Sequence, residues 1–145
     1  MGIFSSSRGN KPLQGRIKNK RSGIYVDLPV GWDAYEIDHE IFLIGRIKNQ
    51  KASLMFSVTH LAMVVKGEWK DPMTGELLDI NPVEDGEFET FDFPVGGTDK
   101  MTKVWQTYTE KYLIRFMYIC DKDYFEEDIA TIRQIVNSLV KNPIE

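Results

Sequence analysis

The sequence predicts an α+β domain: a twisted antiparallel sheet with a C-terminal helix, and room for one further helix, packed on it. Three observations carry that expectation. Short segments rich in β-branched and aromatic residues recur along the chain, separated by Gly, Pro and Asn breakers. The final segment changes to an apolar repeat of helical period. With 42% apolar and 12% aromatic residues, a chain of 145 residues can build one core without disulfides, and Cys120 is its one cysteine.

Residues 1–23 read as a flexible arm, with three consecutive serines, four glycines and little apolar content. The arm carries six basic residues (Arg8, Lys11, Arg16, Lys18, Lys20 and Arg21) and no acid, so it holds +6 against −10 on residues 24–145. The folded domain is expected to span residues 24–145, opening with a strand at Ile24–Leu28. Pro29-Val30-Gly31 stops that strand, and Ala34–Ile37 forms a second one.

Ile41–Ile47 and Ala52–Leu61 form the arms of a hairpin joined at Asn49-Gln50-Lys51. The stretch from Lys66 to Gly86 is the least regular, and His60–Trp69 suits either a strand extension or a short helix. Alternation resumes at Phe88, Phe91 and Phe93, with acids between them. Lys103–Thr109 and Tyr112–Cys120 then make the strongest hairpin, with Glu110-Lys111 at the turn. Val104, Gln106 and Tyr108 share one face of it, and Trp105 and Thr107 the other.

Asp123 is the expected N-cap of the C-terminal helix, with Glu126 three residues on and Glu127 and Asp128 in the first turn, where the helix dipole favours negative charge. Phe125, Ile129, Ile132, Val136 and Leu139 make one apolar stripe, and Pro143 stops the helix.

Residue chemistry argues against catalysis. His39 and His60 show no spacing for a shared metal or a nucleophile partner. Ser57 lies three strand residues from His60, and so on the opposite face. The acids around Asp121–Asp128 fail the calcium-loop pattern at Phe125 and Glu126, and helix capping accounts for nearly all of them. Gly96-Gly97 precedes a hairpin rather than a helix, so it is read as a plain loop, not a phosphate cradle. No cofactor and no metal are expected.

Two sequence features point to binding. Trp69 and Trp105 are candidate exposed anchors for a protein partner, since aromatic residues dominate interface hot spots, while Trp32 is assigned to the core. The basic arm is a candidate for an anionic surface. Gly2 with Ser6 fits the acylation pattern that, beside a polybasic segment, would anchor a chain at a membrane. Nucleic acid is the weaker partner, because the arm has only Phe4 as an aromatic and the body is acidic. No stretch approaches a membrane span, no secretion signal is recognisable, and the expected compartment is the cytoplasm.

Leu28-Pro29-Val30-Gly31-Trp32, the long C-terminal hairpin and the closing Ile135-Val136-Asn137-Ser138-Leu139 together resemble the PsbP/Mog-like superfamily. The resemblance spans residues 24–141 and rests on its two ends. It implies a PsbP/Mog-like sandwich of sheet and helices, and a non-catalytic accessory domain of adaptor, chaperone or inhibitor type that binds another protein. It carries over no functional residue. A peripheral membrane protein and a small-ligand carrier with a pocket between sheet and helix are the alternatives.

Overall fold

The computed structural model describes residues 11–38, 41–47, 53–64, 75–78, 80–95 and 98–143. Among these residues nine strands run in chain order: β1 Arg16–Lys18, β2 Tyr25–Asp27, β3 Trp32–Asp38, β4 Ile41–Arg46, β5 Ser53–His60, β6 Val83–Asp85, β7 Phe88–Pro94, β8 Lys100–Tyr108 and β9 Tyr112–Asp121. A single 3-10 turn, Leu61–Met63, follows β5, and helix α1 spans Lys122–Asn137. Among the described residues α1 is the one α-helix, so the room left for a second is unfilled there.

Seven strands form one antiparallel sheet in the order β3-β4-β5-β9-β8-β7-β6. Local meanders build each half, and β5 joins them by pairing with β9, from Ser53 opposite Ile119 to His60 opposite Tyr112. Strands β1 and β2 form a separate two-stranded sheet.

The register puts one aromatic row across the sheet: Phe42 lies opposite Phe56, Phe56 opposite Phe116 and Phe116 opposite Trp105. The rings of Phe42, Phe56 and Phe116 stack at 5.8 and 5.1 Å between centroids. Ile132, Ile135 and Val136 of α1 and Ile17, Ile24 and Val26 of the β1–β2 hairpin close over this row, and all are buried. Full burial of one such side chain stabilises by about 1.5–3 kcal/mol. The other face holds a smaller cluster of Phe91, Phe93 and Val104 with Leu78 and Ile80. Phe88 faces the main core, edge-on to Phe116, so the three phenylalanines of β7 divide between the two faces rather than sharing one.

The flexible arm expected over residues 1–23 is corrected from Lys11 onward. Leu13 exchanges two backbone hydrogen bonds with Ala34 of β3, Ile17 is wholly buried, and Arg16–Lys18 pairs with Tyr25–Asp27. Leu13 and Ile17, the apolar residues of this polar segment, leave no periodicity to read, yet Ile17 joins Ile24 and Val26 in docking the hairpin on the core.

Helix α1 starts at Lys122, one residue before the expected cap Asp123, and the side chains of residues 120–127 lie outside the description. It ends at Asn137, well before Pro143. Ser138 accounts for the stop. Its hydroxyl donates to the Ile135 carbonyl at 2.6 Å and accepts from the Asp27 N–H at 2.8 Å. The chain then bridges to Tyr25 through Val140. The Pro29–Trp32 turn is closed by Trp32 N–H to the Pro29 carbonyl, with Gly31 at φ 93°, a value that favours glycine there. That turn delivers Trp32 into the core, as expected.

Candidate functional site

Hairpin β1–β2 is closed by a turn whose organiser is Asn19. Its carboxamide oxygen accepts from the Ser22 N–H at 2.9 Å and the Ser22 hydroxyl at 2.8 Å, while its backbone bonds Ile24 and Gly23. Gly23 has φ 79°, and a Cβ there would meet Pro143 Cγ at 3.2 Å, so the turn lies directly against the C-terminal segment. Buried Asn19 thus presents Lys20 and Arg21 outward from a fixed backbone.

The β8–β9 turn is fixed similarly. Thr109 Oγ1 accepts from the N–H groups of Lys111 and Tyr112 at 3.2 and 3.0 Å, and the Lys111 carbonyl accepts from Leu61 N–H. His60 supports this corner: its Nδ1 accepts from Ala62 N–H at 3.1 Å and its ring meets Tyr112 edge-on.

Between these two turns and the segment Lys141–Pro143 lies an open groove of about 1040 Å³. Lys18, Lys20, Arg21, Lys111 and Lys141 line it, against the one carboxylate of Glu110. Lys18, Lys20 and Lys111 make no ion pair among the described residues. Lys141 donates to Thr107 Oγ1 at 3.1 Å and stands 3.6 Å from Glu87. Tyr108, half exposed, and Tyr112 add aromatic wall.

The structure therefore gathers three of the six expected anionic-surface residues, Lys18, Lys20 and Arg21, and adds two from distant sequence. Arg16 takes another course. Its guanidinium pairs with Asp27 at 2.9 Å and lies 3.9 Å over the Tyr25 ring, and the Asp27 hydrogen bond holds its pKa above the ordinary value. Lys11 is exposed outside the groove, while Gly2, Arg8 and Trp69 lie outside the described residues. Trp105 is corrected: at 1% exposure beneath the helix it is core and offers a partner nothing. Lys111 and Lys141 were missed because each is a lone cation in its own segment, and only the fold brings them to Lys20.

A second polar constellation lies under α1. Arg46 of β4 pairs with Asp128, whose other carboxylate oxygen accepts from the Tyr118 hydroxyl at 3.4 Å, and the guanidinium stands 5.7 Å from the Trp32 ring. This set joins α1 to β4 and β9. On the other sheet face Arg115 Nε donates to Gln106, which donates to Glu89, and burial holds the Arg115 pKa below its ordinary value. Ser57 lies on that face opposite Arg115, whereas His60 lies with Tyr112 on the helix side. Among the described residues no three His, Cys, Asp or Glu side chains converge as metal ligands. Among the described residues the space between sheet and helix is occupied by Trp105, Phe116, Ile132 and Ile135, each at most 1% exposed.

No protein-family model and no curated protein matches the chain. Solved structures do. The solution structure of cyanobacterial PsbP (CyanoP) from Synechocystis sp. PCC 6803 is similar at TM-score 0.56 and 11% identity, over 87% of this chain and 91% of that one. A crystal structure from Bacteroides thetaiotaomicron VPI-5482 is similar at TM-score 0.55 and 14% identity, over 90% of this chain, which spans only half of that protein. The resemblance drawn from the Leu28–Trp32 turn and the Ile135–Leu139 helix end thus holds at the level of structure: the chain has a PsbP-like fold.

Proposed function

We propose that the chain is a non-catalytic accessory domain of the cytoplasm that binds a partner protein through the basic groove. One observation carries this reading. Among the described residues Lys18, at the end of β1, and Lys20 and Lys111, on two turns each locked by a side chain, make no ion pair. Like charges gathered on a rigid rim repel one another, and a partner bearing the opposite charge relieves that repulsion. The accessory role implied by the PsbP/Mog-like resemblance supports the same reading. The membrane reading has less support, because Arg16 is already neutralised by Asp27 and Lys11–Gly23 is not a free polybasic tail.

The test is a photo-crosslinking residue placed at Lys20, in the groove, or at Val83, exposed on β6 outside it. In native extract, position 20 is expected to give one discrete protein adduct that position 83 does not. Adding Lys18→Glu and Lys111→Glu is expected to abolish it. Equal labelling from both positions, or lipid as the only adduct at position 20, overturns the proposal.

A further inference from the structure

We infer that the occupant of the groove is a short, extended acidic segment of the partner, carrying carboxylates and one apolar side chain. This rests on the protein-binding reading and specifies its chemistry. Among the described residues Lys18, Lys20 and Lys111 line the groove without an ion pair, so a neutral or basic segment would leave them as they are, while carboxylates would each gain a charge-assisted contact. Tyr108, 48% exposed on the groove wall, gives an apolar side chain something to cover.

Shape and field select among anions. At about 1040 Å³ the groove stands at the upper end of small-molecule pockets, which leaves room for a chain segment. A bilayer surface is flat and cannot enter a trough between two turns. A long nucleic acid would run off the lysines onto a body with ten more acids than bases between residues 24 and 145. A short acidic segment ends where the groove ends.

Lysine ammonium groups donate to carboxylate and phosphate alike, so the experiment must separate them. Fluorescence anisotropy of a labelled Glu-Gly repeat peptide with one central Phe is compared with its Gln-Gly analogue. Unlabelled oligothymidine of equal charge and phosphatidylserine vesicles are the competitors. The acidic peptide is expected to bind one per chain, weaken as salt rises, and resist both competitors at equal charge. Lys18→Glu/Lys20→Glu/Lys111→Glu is expected to lower its affinity about tenfold to hundredfold, and Glu110→Lys to raise it about threefold. Glu110→Lys is a gain of binding, so impaired folding cannot imitate it. Tyr108→Ser is expected to weaken the Phe peptide and leave a Phe-free peptide unchanged.

Tighter binding of oligothymidine or vesicles, or unchanged peptide affinity in the triple variant, overturns the inference. A groove adduct to a protein with no acidic-peptide binding sinks this inference and leaves the protein-binding reading standing. Peptide binding with no protein adduct does the reverse.

Discussion

Helix α1 and the β1–β2 hairpin lie side by side on one face of the same sheet, and they reach that place by different physics. The helix carries its own instructions. Apolar residues recur at helical spacing, and Ile132, Ile135 and Val136 are buried as a consequence. The hairpin has two strands of three residues each and a polar, glycine-containing sequence, and it would not hold together alone. Ile17, Ile24 and Val26 find burial only because the sheet and α1 already provide a surface. Cations on the hairpin are held in place by that docking, which is why the candidate site belongs to the less autonomous partner.

Deleting residues 1–22 gives the sharpest test of this contrast. If the segment were a tail, a chain starting at Gly23 would keep full stability. Because the deletion removes β1 and the burial of Ile17, a loss of about 4 kcal/mol or more in urea unfolding is expected. Next come the point substitutions Ile135→Ala and Ile17→Ala, each expected to cost about 2–5 kcal/mol. Equal costs would place the hairpin on a par with the helix as core. A cost near zero for Ile17→Ala would return it to the status of an arm. Ser138→Ala removes the hydroxyl shared by Ile135 and Asp27 and is expected to cost about 1–2 kcal/mol, loosening helix and hairpin together. Amide exchange should then quicken at Asp27 as well as at the helix end, and quickening at the helix end alone would deny the coupling. The smallest effect belongs to Arg16→Ala. Both partners of that ion pair are about half exposed, so the thermal midpoint is expected to stay where it is, at low and high salt alike.

Legibility in the sequence follows the same division. The hairpins β4–β5 and β8–β9, the face assignments of Trp105 and Val104, and the helix stripe all rest on neighbours within a few positions, where a period of 2 or 3.6 leaves its mark. The pairing of β5 with β9, the burial of Ile17 and the meeting of Lys20 with Lys111 and Lys141 involve residues far apart along the chain, and no local period records them. Trp105 shows the same limit from the other side. Its residue type suggested a hot spot, while its place in the row beside Phe116 made it core.

The sequence by itself determined the α+β class, the Pro29–Trp32 turn with glycine at its positive-φ position, and the amphipathic helix, because each is a local preference of backbone and side chain. It also set the segregation of six cations into the first 23 residues. Only the tertiary structure decided what those cations do. Docking of Ile17 beside Ile24 and Val26 set a polar segment into a hairpin, placed Arg16 against Asp27, and carried Lys18 and Lys20 to a rim shared with Lys111 and Lys141. Charges interact through space over several ångströms regardless of separation along the chain, so a binding surface made of them exists only once the chain has folded.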